Sequence, residues 1–297
     1  MQIKVLVTGA NGQLAKEIDF LKNSQHFSEI EFYFFTSHQW DITKLETYPK
    51  ISTASTSLTC VINTAAYTAV DKAEQEKEKA YHINQEGVKI LAQWCNIHRA
   101  HLVHISTDFV FDGTKSTPYD EEDLTNSQSV YGKSKEQGEQ EILKINKEFG
   151  TPFTILRTSW LYGSQGNNFV KTMLNLAHSK KELKIIEDQV GTPTHAKDLA
   201  YFLCQNIKEL VKSKKGEIYH FSNYGVASWY DFAHAIFYLA KKEIQLNPIS
   251  TMEYSSLVKR PAYSVLSKKK ISQHFAVRNF HWIDSLERFL HSNLHNS

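Results

Sequence analysis

Cysteine is scarce in this chain, with three among 297 residues, and none stands at metal-ligand spacing from another. Cys60, Cys95 and Cys204 each sit in an apolar run. They read as buried thiols of a cytoplasmic protein rather than as a disulfide framework. An excess of one charge is missing too. The 34 Lys and Arg stand against 32 Asp and Glu, a net of +2. A nucleic-acid partner is therefore not expected, because no broad basic field is present. The clusters Lys212-Ser-Lys-Lys215 and Lys268-Lys-Lys270 are short enough to read as solvated surface. No apolar run approaches the roughly 18 residues a membrane helix needs. The strand-like run Ile3–Val7 begins at once, so no signal peptide and no membrane partner are expected. The fourteen histidines are not read as ligands, and no catalytic metal is expected.

What is present is ordinary for a globular protein: 41% hydrophobic and 22% charged residues, with no internal repeat and no low-complexity linker. The length permits one large α/β unit plus a smaller one. Five β-branched or aromatic runs read as strands: Ile3–Val7, Glu31–Phe35, Cys60–Ile62, Leu102–Ile105 and Phe153–Leu156. Helical stretches lie between most of them, notably from Asp71 to Arg99. Strands alternating with helices predict an α/β fold, a Rossmann-like doubly wound parallel sheet with right-handed crossovers. Ligands then bind at the carboxyl ends of the strands. Gly9, Ala65-Ala66, Thr107 and Arg157-Thr158 all fall just past such ends.

The first strand runs directly into Thr8-Gly-Ala-Asn-Gly-Gln-Leu-Ala15, and Leu14, Ile18 and Leu21 then repeat on one helix face. Strand, glycine turn and helix is the context in which such a turn holds a dinucleotide. Gly9 permits the tight turn, and Gly12 lets a pyrophosphate approach the backbone and the free N–H groups of the helix start. The spacing is G-x-x-G-x-x-A. Ala15 stands at the helix–sheet contact, where the helix is expected to sit slightly further off. A strand, turn and helix with no ligand has the same pattern.

Cofactor choice is read at the end of the second strand. An acidic residue there would hold the ribose hydroxyls of NAD and repel a 2′-phosphate. This chain has Thr36-Ser37-His38 instead. Hydroxyls tolerate a phosphate and an imidazole can pair with it, although no arginine is present to clamp it. NADPH is the expected cofactor, with NADH also accepted.

Tyr131 and Lys135, in Val-Tyr-Gly-Lys-Ser-Lys-Glu-Gln-Gly-Glu139, stand four apart, so a helix places them on one face. The phenol's ordinary pKa of ~10 makes it a poor acid–base group at neutral pH. A neighbouring ammonium lowers that value, which makes the pair a proton donor to a carbonyl under reduction. The same spacing also describes a solvated helix face.

Eight blocks taken together give the chain a resemblance. They are Thr8-Gly-Ala-Asn-Gly-Gln-Leu14, Asn63-Thr-Ala-Ala-Tyr-Thr-Ala-Val-Asp-Lys-Ala-Glu74, Ser106-Thr-Asp-Phe-Val-Phe-Asp-Gly113 and Tyr131-Gly-Lys-Ser-Lys135. Arg157-Thr-Ser-Trp-Leu-Tyr162, Gly166-Asn-Asn-Phe-Val-Lys171, Asp188-Gln-Val-Gly-Thr-Pro193 and Arg260-Pro-Ala-Tyr-Ser264 complete the set. The chain resembles the extended short-chain dehydrogenase/reductases, and within them the dTDP-4-dehydrorhamnose reductase family, over nearly its whole length. The resemblance implies a nucleotide-sugar substrate, dTDP-4-dehydro-6-deoxy-L-mannose, reduced to dTDP-L-rhamnose for cell-surface polysaccharide. It implies that Thr107 hydrogen-bonds the substrate carbonyl and Tyr131 protonates its oxygen. Lys135 would lower the Tyr131 pKa and hold the nicotinamide ribose.

By the same resemblance, Gly9, Asn11, Gly12, Gln13 and Leu14 line the pyrophosphate, while Asp41 and Ile42 flank the adenine. Ala65, Ala66 and Tyr67 follow the cofactor backbone, and Asn84 braces the active-site backbone. Asp108 and Phe109 accompany Thr107 on the substrate side. Trp160 stacks on the sugar or thymine or is core. Asn168 caps phosphates or its own helix. Arg260 pairs with the diphosphate or is a surface arginine. The implied architecture has residues 1–157 as the cofactor domain, with 190–221 returning to it. Residues 158–297, mainly 158–189 and 222–297, form a smaller, interleaved α/β substrate lobe. A homodimer is expected from fold relatives. In dehydratases of this superfamily an Asp–Glu pair follows the catalytic Thr. Here Phe109 follows Asp108 and cannot transfer a proton, so water elimination is not expected. The alternatives are another nucleotide-sugar reductase or epimerase of the superfamily, and a non-catalytic regulatory subunit similar to the methionine adenosyltransferase beta subunit.

Overall fold

The structure is a computed structural model that describes residues 3–23, 27, 29–50, 58–213, 215–254, 258–277 and 280–294; Lys214 of the first basic cluster lies outside them. In chain order the first elements are β1 (Ile3–Thr8), α1 (Gln13–Leu21), β2 (Ile30–Phe35), β3 (Leu58–Asn63), α2 (Val70–Ala73) and α3 (Lys77–Tyr81). A π-helical turn (His82–Gly87) leads into α4 (Val88–Ile97), β4 (His101–Thr107), α5 (Val130–Phe149) and β5 (Phe153–Thr158). Next come β6 (Leu161–Tyr162), α6 (Phe169–Leu176), β7 (Glu182–Ile186), β8 (Val190–Gly191), β9 (Thr194–His195), α7 (Ala196–Lys212) and β10 (Glu217–His220). The last are β11 (Ala227–Ser228), α8 (Trp229–Leu239), β12 (Gln245–Ile249), α9 (Lys269–His274) and α10 (Trp282–Leu294).

Six strands form one parallel sheet in the order β10-β5-β4-β3-β1-β2. Successive side chains on a strand point to opposite faces, so a sheet covered on both sides buries both sets. Val5, Val7 and Ile62 face α1 and α7, where Leu14, Ile18, Leu199 and Leu203 close one core. Leu6, Val61 and Leu102 face the other way, against Val88 and Leu91 of α4 and Ile142 of α5. Each such fully buried side chain contributes about 1.5–3 kcal/mol. Cys60, Cys95 and Cys204 are buried and unpaired in these two layers, and burial pushes their thiols up.

The chain runs from β1 to β2 on one side and then to β3 on the other. Strand order reverses there, and the helices that leave β1 and β3 diverge, opening a crevice at the carboxyl ends. Three two-stranded pairings, β6-β9, β7-β12 and β8-β11, stand apart from this sheet. They pack with α6, α8 and α10 around Val170, Met173, Phe232, Ile236, Trp282 and Leu286. Between these elements α7 and β10 run back to the large sheet, α7 beside α1 and β10 paired with β5. Further on, Ile271 of α9 joins the first core as well. None of the described helices is long and apolar enough to cross a membrane.

Candidate active site

Where the strand order reverses lies a cleft of about 1200 Å³, bounded by the glycine turn, the ends of β3, β4 and β5, the start of α5, and the start of α6. Gly9 sits at φ +67°, and a Cβ there would lie 2.9 Å from the Ala65 nitrogen. Only glycine fits both the conformation and the contact. Gly12 donates to the Gly9 carbonyl at 2.8 Å and then caps α1 with no side chain over the helix end. The first N–H groups of α1 are thus left for an anion, which suits a dinucleotide's diphosphate. Asn11, Gly12, Gln13 and Leu14 all line the cleft, as do Ala65 and Ala66.

Tyr67, in contrast, does not line the cleft. Its ring is buried beside Ala73 and Ala80. Its backbone is clamped by Asn84 of the π-helical turn, which accepts from Tyr67 N at 2.8 Å and donates to Tyr67 O at 3.0 Å. The same amide donates to Ser134 of α5 at 2.9 Å, tying the β3 end to the helix that carries Tyr131.

Beyond the end of β2, Ser37, Asp41 and Ile42 face the cleft while Thr36 and His38 do not. The Thr36 hydroxyl donates to Gln39 at 3.0 Å instead. Cofactor discrimination by Thr36 or His38 is therefore not supported; of that triplet only Ser37 is placed for it. Lys44, Lys79 and His82 also line the cleft and went unread in the sequence. Each lies on a loop or helix whose approach depends on the packing of the 36–44 and 77–87 segments.

Thr107 ends β4, and its hydroxyl donates to Asp108 Oδ1 at 3.1 Å and accepts from Phe109 N at 3.2 Å. Ser129 caps α5 by accepting from Gly132 N at 3.1 Å, which fixes Tyr131 in the first turn. Tyr131 meets Phe109 edge-on at 5.6 Å. Burial pushes its phenol up to about 12, against a hydrogen bond with Thr107 and with a further push from the Asp108 charge. Asp108 is itself raised to about 6 by burial, against bonds from Ser264 and Thr107.

Lys135 departs from the sequence expectation. It is buried, and its Nζ donates to the Ile105 carbonyl at 2.7 Å and lies 3.2 Å from His104 Nε2. The Tyr131 phenol is raised rather than lowered, with burial the largest cause. Residues four apart share a face, but a flexible lysine takes the buried polar partners within reach, and here those lie on β4.

On the opposite wall, Trp160 has left-handed backbone, φ +46°, and stacks on Trp229 with centroids 3.6 Å apart and planes 5° apart. A Cβ at Gly191 would lie 2.6 Å from the Trp160 ring, so that glycine admits the indole. Trp229, at the start of α8, lines the cleft and was missed in the sequence; no local pattern pairs residues so far apart. Asn168 caps α6 by accepting from Lys171 N at 3.0 Å, and it donates to Gln13 at 2.8 Å across the cleft. Its amide is thus used within the protein. Arg260 Nη2 donates to both carboxylate oxygens of Asp71, at 2.7 and 2.9 Å, on the cleft rim, a partner the sequence did not suggest. Among the described residues no group of His, Cys, Asp and Glu could hold a metal ion.

A tyrosine phenol, a buried lysine, a threonine hydroxyl and a glycine turn with free helix N–H groups thus meet in one cleft. Residues 3–294 match the model of a family described as the RmlD substrate binding domain. The chain belongs to that family. A dTDP-4-dehydrorhamnose reductase of Aggregatibacter actinomycetemcomitans is 40% identical over 292 residues, 96% of this chain and 97% of that one. A dTDP-4-keto-6-deoxy-D-glucose reductase of Streptomyces niveus is 33% identical over 282 residues, 95% of this chain and 94% of that one. The crystal structure of a dTDP-4-dehydrorhamnose reductase from Bacillus anthracis in complex with NADP superposes with a TM-score of 0.86 at 36% identity, covering 99% of this chain and 100% of that one. Family membership agrees with the doubly wound sheet.

Proposed function

We propose that this chain is an NADPH-dependent reductase of the 4-keto group of dTDP-4-dehydro-6-deoxy-L-mannose, giving dTDP-L-rhamnose in the cytoplasm. The observation that carries the reading is the meeting of Thr107, Tyr131 and Lys135 in the cleft that the glycine turn opens. NADPH supplies the hydride. Everything else falls to the chain's own groups. The free N–H groups of α1 and the close backbone at Gly9 and Ala65 hold the diphosphate. Thr107 holds the substrate carbonyl. The Tyr131 phenol, kept protonated at neutral pH by burial, gives its proton to the carbonyl oxygen as charge develops there. Lys135 holds the nicotinamide ribose. The Trp160–Trp229 stack offers a flat apolar wall to the sugar or base, and the sheet half carries the cofactor while the α6–α8–α10 half carries the sugar nucleotide.

The reaction class has a direct test. Purified protein should oxidise NADPH when given dTDP-4-dehydro-6-deoxy-L-mannose, and NMR of the product should show dTDP-L-rhamnose. dTDP-glucose should remain unchanged, because Phe109 stands where elimination needs a second carboxylate. Release of a 4-keto-6-deoxy sugar from dTDP-glucose would overturn the reductase reading. The Streptomyces niveus relative favours one second reading, a reductase of dTDP-4-keto-6-deoxy-D-glucose. Comparing kcat/KM for the two keto sugars decides between them.

Cofactor preference should turn on Ser37, the residue of the triplet that faces the cleft. Ser37→Asp places a carboxylate where it repels a 2′-phosphate and accepts from ribose hydroxyls. The NADH to NADPH ratio of kcat/KM should rise by about tenfold or more, equivalent to roughly 1.4 kcal/mol. An unchanged ratio would remove Ser37 from cofactor choice.

A further inference from the structure

One fully buried titratable group beneath the cleft has no part in the reading above. His104 lies on β4 with Asn63 on one side and Lys135 on the other. Its two ring nitrogens are both engaged, so the donors along this chain can be assigned. Asn63 Oδ1 accepts from the Thr8 hydroxyl at 2.7 Å and from Ala65 N at 3.2 Å. Asn63 Nδ2 therefore faces His104 Nδ1, at 3.0 Å. An amide nitrogen only donates, so Nδ1 presents a lone pair and the neutral ring carries its hydrogen on Nε2. That N–H points at Lys135 Nζ, 3.2 Å away, while Nζ itself donates to the Ile105 carbonyl at 2.7 Å. Two donors cannot share one bond. The contact is satisfied only when Lys135 presents a lone pair, as its amine.

We propose that His104 is a positioning residue that favours the neutral amine of Lys135 in the cofactor-free enzyme, so that binding of the dinucleotide is coupled to uptake of a proton at Lys135. The inference rests on the dinucleotide reading of the cleft. The step balances simply: amine and solvent proton give ammonium, which the incoming phosphate charge and ribose hydroxyls favour. The coupling keeps an unpaired charge out of the buried site until its partner arrives. The other groups facing Lys135 agree with it. Burial pulls Lys135 down to about 8, opposed by Glu139 one turn along α5. Glu139 is already engaged with Arg157 of β5. Burial holds His104 well below the usual histidine range, so its ring stays neutral. Tyr131 and Asp108, at about 12 and about 6, do not change charge near pH 8.5.

Isothermal calorimetry of NADP⁺ binding near pH 8.5, in two buffers of different ionisation enthalpy, reads the proton count directly. Wild type should take up more than about half a proton, as burial pulls Lys135 down to about 8. In His104→Gln the side-chain carbonyl can turn to accept from the ammonium, so Lys135 is already charged and uptake should fall below about a quarter. Lys135→Met should take up none. Binding without uptake in wild type overturns the proposal, as does uptake in His104→Gln equal to wild type. Should His104→Gln fail to fold, the imidazole carbon shifts of wild type decide. The Nε2–H tautomer supports the proposal and the Nδ1–H tautomer overturns it. Failure of NADP⁺ to bind at all would overturn the dinucleotide reading, and the proposal with it.

Discussion

Tyr131→Phe is expected to lower turnover by ~10²–10⁴, the usual worth of a positioned general acid. The phenol stands in the first turn of α5, where the Ser129 cap fixes the helix start and Phe109 packs against the ring edge. Burial keeps it protonated far above neutral pH. It is therefore a donor in its resting state, and the charge that develops on the substrate oxygen draws the proton away. Phenylalanine retains the ring and its contact with Phe109 and loses only the hydroxyl. The NADPH dissociation constant should consequently change by less than about threefold, since the proposed diphosphate site is the glycine turn and α1 rather than the phenol. Single-turnover NADPH oxidation, in which product release cannot mask the chemical step, is the measurement. Wild-type rates there would show that another group supplies the proton.

The second large effect is on stability. Glu139 of α5 is fully buried under the site and accepts from Arg157 Nε at 3.0 and 3.2 Å, from Arg157 Nη2 at 2.7 Å, and from the Ser106 hydroxyl. Arg157→Met should destabilise the protein by about 3–5 kcal/mol, because it leaves a buried carboxylate without its cation. The net value of the intact pair is far smaller, since both charges were taken out of water to form it. Arg157→Met combined with Glu139→Leu should therefore recover most of the loss. Urea midpoints at constant slope measure both variants. A single-variant loss below about 1 kcal/mol would mean that water reaches Glu139.

Residues adjacent in sequence carried much of this protein legibly. The alternation of buried strands and helices along residues 3–158 predicted the parallel sheet, because each pattern is set by side chains within one element. Gly9 and Gly12 were readable for the same reason: a turn followed by an uncapped helix is a local event. Thr107 was placed just past a strand end and Tyr131 on one helix face with Lys135, and both line the cleft.

Lys135 shows where such reading stops. Its four-residue spacing from Tyr131 was correct, but its hydrogen bonds go to Ile105 and His104 on a strand some thirty residues earlier. His104 lay in a run read only as a buried strand. A polar ring in the middle of such a strand must find a partner, and that was the available signal. Arg260 pairs with Asp71 across 189 positions of the chain, and Trp160 stacks on a tryptophan contributed by α8. The sequence alone therefore determined which chemical groups stand at strand ends and helix starts. Tertiary structure alone decided what those groups touch, since hydrogen bonds and ring contacts depend on distances between elements that no local periodicity encodes.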